Sequence, residues 1–150
     1  MGEGDMCDAP AMRRALDGMH YAVHVAADSR LWARDPGEIL RANIAGTRTV
    51  MEAALARGVE RIVHTSSVAT LRAGGAASLV DETARLAGRE AIGAYKQSKV
   101  AAERLVERRV SGPGRPAGIA QPSAPLRPAH ARPSPPARTG AGGPRGRGAR

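Results

Sequence analysis

Apolar and polar residues alternate along the first 110 positions with two different periods. Tyr21 to Ala27 (YAVHVAA) and Arg61 to Thr65 (RIVHT) are short runs rich in apolar and β-branched residues, and they read as strands. Between them Ile39, Leu40, Ile44, Thr47, Val50, Met51, Ala54 and Leu55 recur every three or four positions. That spacing predicts one long helix from about Pro36 to Arg57, stopped by Gly58. A Gly- and Ala-rich loop follows Ser66 and Ser67, through Gly74, Gly75 and Gly88. A second long helix is predicted over Ala91 to about Arg109, with Val100, Ala101, Leu105 and Val106 among its apolar positions. Near the start, Asp8 can cap a short helix that has Pro10 in its first turn and Gly18 just past its end. Strand, helix, strand, helix at these intervals implies a parallel sheet covered by helices.

Residues 111–150 lack this patterning. Of the 11 prolines in the chain, 9 fall there, amid Gly, Ala and Arg. Such a stretch offers too little apolar surface to offset chain entropy and is expected to be a disordered tail. Charge divides the chain at the same place. Residues 1–110 carry 16 Lys and Arg against all 14 acids, and the remaining seven arginines lie between Arg115 and Arg150. The division is therefore a globular 1–110 and a Pro/Gly/Ala/Arg-rich 111–150. With no Phe, one Trp and two Tyr, any core must be built from Ala, Val, Leu, Ile and Met. The lone Cys7 excludes an internal disulfide and fits a reducing compartment. No apolar run is long enough to span a bilayer, so a cytoplasmic protein is expected.

Tyr95 and Lys99 supply the first chemistry. Four positions apart on a helix, they share one face a turn apart. A phenol with its ordinary pKa of about 10 transfers protons poorly at neutral pH. A neighbouring ammonium favours the phenolate, which makes the pair a sensible general acid/base. The same spacing also occurs on solvated helix faces that do no chemistry. Thr65-Ser66-Ser67 ends the second strand, and a hydroxyl at a strand's carboxyl end points toward the crevice where open α/β sheets bind ligands. Ser67 can there steady a substrate oxygen beside Tyr95, or the three hydroxyl residues simply terminate the strand. His20, His24, His64 and His130 show no metal-ligand spacing, and no metal site is expected. His24 and His64 sit inside strands and read as satisfied core residues. Trp32 fits either a loop that closes over substrate or a packing role.

A strand ending in TSS, roughly thirty residues, then YxxxK resembles the layout of the short-chain dehydrogenase/reductase family. "HVAAD", "RLWARDP", "RANIAGTRTVMEAALARGVERIVHTSSVATL", "DE" and "YKQSKVAAE" are similar to its extended branch, the NAD-dependent epimerases and dehydratases. Within that branch the wording is nearest to hopanoid-associated sugar epimerases and dihydroflavonol reductase-like proteins. The resemblance covers about residues 3–110. It implies a Rossmann-type parallel sheet and an NAD or NADP cofactor. The implied activity is that of an epimerase, dehydratase or reductase on a nucleotide sugar or related alcohol or ketone. By the same resemblance Tyr95 is the acid/base, Lys99 binds the nicotinamide ribose, Ser67 orients substrate and Asn43 supports the site from the neighbouring helix. Asp5 and Met6, of Gly-Asp-Met, match the segment that meets the adenine. Val25, Ala26 and Ala27 match the small-residue strand end beside the cofactor, and Ser66 lies on the cofactor-contacting strand end. Gln121-Pro122-Ser123 matches an Asn-Pro-Ser/Thr-like motif near the nicotinamide, with Pro122 in contact. A homodimer built on the two long helices is implied as well.

Extended members of that family open with a strand, GxxGxxG and a helix, and this sequence carries no such loop. The expectation is a partial sheet lacking the first strands and the C-terminal substrate domain. An out-of-frame reading of GC-rich DNA would explain the composition after about residue 110. An inactive, truncated or frameshifted remnant is therefore the alternative reading. Nucleic-acid binding through the tail arginines ranks further back, because no aromatic residue or recognition motif accompanies them.

Overall fold

The computed structural model describes residues 3–74, 79–110 and 117–123. Helix α1 spans Ala9–Ala15, and the Asp8 carboxylate caps it by accepting from Ala11 N–H. Strand β1 spans Tyr21–His24, helix α2 Pro36–Ala56, strand β2 Arg61–Thr65, helix α3 Ala94–Val110 and strand β3 Ala117–Ala120. The strands form one parallel sheet in the order β1-β2-β3. Register is set residue for residue: His24 lies opposite His64, and Thr65 opposite Ala120. The partial Rossmann-type sheet flanked by helices is thus the observed architecture.

Local sequence accounts for most boundaries. Asp35 caps α2 by accepting from Gly37 N–H, and Pro36 fits the first turn because its absent N–H is not missed there. Gly58, at φ 71°, turns the chain out of α2 in a conformation that side chains resist. Helix α3 starts at Ala94, three residues later than the apolar pattern implies. Gly93 has φ 85°, so a separate short 3-10 turn, Gly88–Glu90, precedes it. β1 ends at His24 rather than Ala27, and Val25 to Ala27 continue outside the ladder.

Strand β3 corrects the expectation of an irregular stretch from residue 111. Ala-Gly-Ile-Ala has little intrinsic strand preference. It pairs because β2 offers an open ladder and because Ala117 and Ile119 pack on the core. The rest of that stretch, 111–116 and 124–150, lies outside the described residues.

The interior is graded from dry to polar along the strands. Met51, Ala54, Val59, Ile62 and Val106 form the apolar cluster, drawn from the later halves of α2 and α3, the turn after α2 and the early part of β2. Toward the strands' carboxyl ends the buried residues become His24, Asn43, Thr47, His64, Ser66, Ser98, Lys99 and Glu103. Open parallel sheets bind their ligands at that end. The helices cover only one face of β1: Tyr21 and Val23, pointing the other way, are 69% and 67% exposed, and Val25 just past the strand is 61% exposed. Among the described residues no helix is long and apolar enough to cross a membrane.

Met51 is fully buried in the apolar cluster. Met51→Ala is expected to cost about 2–5 kcal/mol of stability, through lost burial and the cavity left behind. Urea unfolding of the two proteins side by side measures the difference.

Candidate functional site

Asn43 joins three segments. Its side-chain oxygen accepts from Asp28 N–H at 2.7 Å, and its amide donates to Asp28 O at 3.0 Å and to Ser98 Oγ at 2.8 Å. Ser98 Oγ in turn donates to Tyr95 O at 2.7 Å. The loop after β1, helix α2 and the first turn of α3 are therefore fixed to one another. Asn43 is 2% exposed and Ser98 fully buried, so water is kept from the bond between them, while the bonds at Asp28 and at Tyr95 O are half-buried.

Lys99 lies one turn beyond Tyr95 and is 5% exposed. Its ammonium donates to Thr65 O at 3.0 Å, at the carboxyl end of β2 and two residues from Ser67. Burial pushes its pKa below the ordinary 10.5, and the Glu103 carboxylate opposes that shift. Tyr95 is half-buried. Ser67 caps the 3-10 turn Val68–Thr70, and its hydroxyl accepts from Ala69 N–H at 3.1 Å while keeping its own proton to donate. Ser67 thus stands at the end of the strand to which Lys99 is bonded.

A cleft of about 600 Å³ runs beside β1. Its lining includes Asp5, Met6, Val25, Ala26 and Ala27, which the sequence reading picked for cofactor contact. Ser67, Tyr95 and Lys99 are not part of that lining. Asp5 Oδ1 accepts from Cys7 N–H at 2.7 Å, which shapes the turn before α1. Met6 is seated on α2 over Gly46, where an added Cβ would lie 2.6 Å from Met6 Cγ. Gly46 went unnoticed in the sequence, where it is one small residue in the stretch Asn43-Ile44-Ala45-Gly46-Thr47; only the close approach reveals it.

Two residues, Trp32 and His64, depart from their sequence reading. Ser66, read as lying on the cofactor-contacting strand end, is 3% exposed; its hydroxyl donates to Glu103 and its N–H to Ala120 O at 2.7 Å. Trp32 does not pack, being 79% exposed. His64 is buried but unsatisfied, with neither ring nitrogen bonded, whereas His24 Nε2 meets Thr47 Oγ1 at 3.0 Å. Pro122 contributes its carbonyl to the fold by accepting from Val68 N–H at 3.2 Å. Among the described residues no group of three or more His, Cys, Asp or Glu side chains is placed to hold a metal.

The His24 and His64 rings lie 5.2 Å apart on neighbouring strands. Burial lowers both pKa values from 6.5 to about 4, helped at each by the Lys99 ammonium and at His64 by His24 as well. The folded state therefore resists protonation that the unfolded chain accepts below pH 6.5. Stability is full above that pH and falls on acidification toward about pH 4, below which both states are protonated. Thermal melts across that range are expected to show the loss. His64→Val, which removes an unsatisfied imidazole, should flatten the slope.

Comparison with known proteins gives this geometry a context. The profile of the 3-beta hydroxysteroid dehydrogenase/isomerase family matches residues 1–115. A protein of Synechocystis sp. named as a dihydroflavonol 4-reductase is 36% identical over 132 residues, covering 88% of this chain and 38% of the relative. The crystal structure of gox2253 superposes with a TM-score of 0.81 at 41% identity, covering 91% of this chain and 41% of that one. The dTDP-glucose 4,6-dehydratase DesIV of Streptomyces venezuelae, crystallised as a double mutant with NAD and DAU bound, has a TM-score of 0.68 at 26% identity. The match covers 77% of this chain and 35% of DesIV. The chain thus spans about two fifths of the length of these proteins.

Proposed function

The chain belongs to the 3-beta hydroxysteroid dehydrogenase/isomerase family, and from that membership we propose an NAD(P)-dependent epimerase, dehydratase or reductase acting at a secondary alcohol or its ketone. One observation carries the reading. The Lys99 ammonium is bonded to Thr65 O, which brings the Tyr95–Lys99 face of α3 to the strand end that bears Ser67.

The residues present fit a dinucleotide along one wall. The cleft beside β1 is bounded by the small side chains of Ala26 and Ala27 and by Asp5 and Met6, which leaves room for a flat ring against backbone. Asp5, Met6, Val25, Ala26 and Ala27 would hold the adenine side, and Lys99 the ribose near the reacting ring. When bound, a nicotinamide supplies hydride transfer at the carbinol carbon. Ser67 holds the substrate oxygen by donating its hydroxyl proton. Tyr95 gives or takes the proton of that oxygen, and the Lys99 charge stabilises the anion left when the phenol proton departs. Asn43 keeps the Tyr95 turn in place through Ser98. A homodimer through α2 and α3 belongs to the same reading. The outward face of α2 supports it, with an apolar groove at Leu40, Ile44 and Ala45.

Nucleotide sugars are the substrates this reading tests first, in line with the dTDP-glucose 4,6-dehydratases among the relatives. An apolar ketone is the second reading, favoured by Leu31 and Trp32 after the Asp28 anchor and Ile92 just before Tyr95. These side chains are 69%, 79% and 89% exposed.

The 150-residue chain, assayed with NAD(H) and NADP(H) against both substrate classes, tests the proposal. Tyr95→Phe should lower turnover about 10²–10⁴-fold while cofactor affinity by fluorescence titration is unchanged. Turnover equal to wild type in Tyr95→Phe, or a wild-type chain inert toward both classes, would sink it.

A further inference from the structure

Glu103 lies one helical turn beyond Lys99 on α3 and is 2% exposed. A carboxylate buried so deeply needs donors, and it has them from three other places in the chain. Ser66 Oγ, just past the end of β2, donates to Oε2. Thr70 Oγ1, in the 3-10 turn Val68–Thr70, meets the same oxygen at 2.8 Å. Gln121 Nε2, just after β3, donates to Oε1 at 3.2 Å and to Oε2 at 3.1 Å. Gln121 also donates to Thr70 Oγ1 at 3.0 Å, so the partners are tied to each other as well.

The two hydroxyl partners bracket one residue. Ser67 sits between Ser66 and the turn that ends at Thr70, and Thr70 N–H donates to Ser67 O at 3.0 Å. Thr70 Oγ1 lies 2.8 Å from the same carbonyl. Apart from Val68, whose N–H donates to Pro122 O at 3.2 Å and whose carbonyl accepts from Leu71 N–H at 3.0 Å, the bonds that shape the corner around Ser67 run through a residue held by Glu103 or close on Ser67 itself. A purely structural polar group would be as well served by partners anywhere on the sheet. These partners converge on the one corner that carries Ser67.

We propose that Glu103 is a positioning residue, whose buried carboxylate clamps the Ser66–Thr70 corner and the end of β3 onto α3 so that Ser67 faces the Tyr95–Lys99 side of the same helix. The role in turnover rests on the enzymatic reading above; the clamp itself does not. Glu103→Gln keeps the shape of the side chain but replaces one acceptor oxygen with a donor, which opposes the Gln121 amide or a hydroxyl.

Amide hydrogen exchange on the full chain reads the clamp without any need for activity. Glu103→Gln is expected to retain cooperative melting while exchange at Ala69 and Thr70 quickens about tenfold relative to Ile62 and Val63 in β2. Thr70→Val, which removes one donor, should quicken the same amides by a smaller factor. It also stands in as the deciding variant should Glu103→Gln not fold. In turnover, Glu103→Gln should lower kcat about tenfold or more with KM held within about twofold, the signature of a misplaced reacting group. Unchanged exchange at Ala69 and Thr70 in the deciding variant overturns the clamp. Quickened exchange with wild-type kcat overturns the positioning role and leaves the Tyr95 reading intact. Wild-type turnover in Tyr95→Phe removes the enzymatic reading and leaves the clamp standing.

Discussion

A primary amide carries two donor protons and an acceptor oxygen, and Asn43 engages all three capacities while itself buried. This is the constraint on which the arrangement at the strands' carboxyl end depends. Without it, the segment after β1 has no bond to α2 at Asp28, and the first turn of α3 loses its link to the rest through Ser98. An amide serves here where a carboxylate would not, because the contacts require both donation and acceptance. Leaving either Asp28 N–H or Asp28 O unpaired in a water-poor site would cost roughly 1–3 kcal/mol.

The same end of the molecule gathers most of its buried polar groups. His24, Thr47, His64, Lys99 and Glu103 lie between the sheet and its covering helices, while Met51, Ile62 and Val106 close the opposite end without a polar atom among their side chains. Stability and chemistry are thus separated along the strand direction. The dry end supplies the cohesive energy, and the polar end accepts desolvation penalties that internal hydrogen bonds offset at most of its groups. An imidazole with neither nitrogen bonded, as at His64, is a penalty without that offset.

Much of this was legible in the sequence. The apolar period of α2, the cap at Asp8 and the RIVHT strand were readable because they are local, and the structure keeps each within a residue or so. The convergence of Asp5, Met6, Val25, Ala26 and Ala27 on one cleft was legible through family likeness rather than through any local rule. What escaped reading is what depends on tertiary partners. Strand β3 has a composition that looks irregular until β2 lends it a ladder. The Ser66 hydroxyl looks available until Glu103, thirty-seven residues later, takes it. Glu103 itself gave a signal that could have been heeded: a carboxylate four positions after Lys99, on the same helical stripe, surrounded by Val100, Ala102 and Val106.

Strand β1 ends the order of strands among the described residues, and its outward-facing side chains are Tyr21 and Val23, followed just past its end by the exposed Val25. Its outer rim is a row of amides and carbonyls beside a hydrophobic strip. Such a rim is an adhesive template, because any extended segment laid along it exchanges water for a ladder and buries the valines at once.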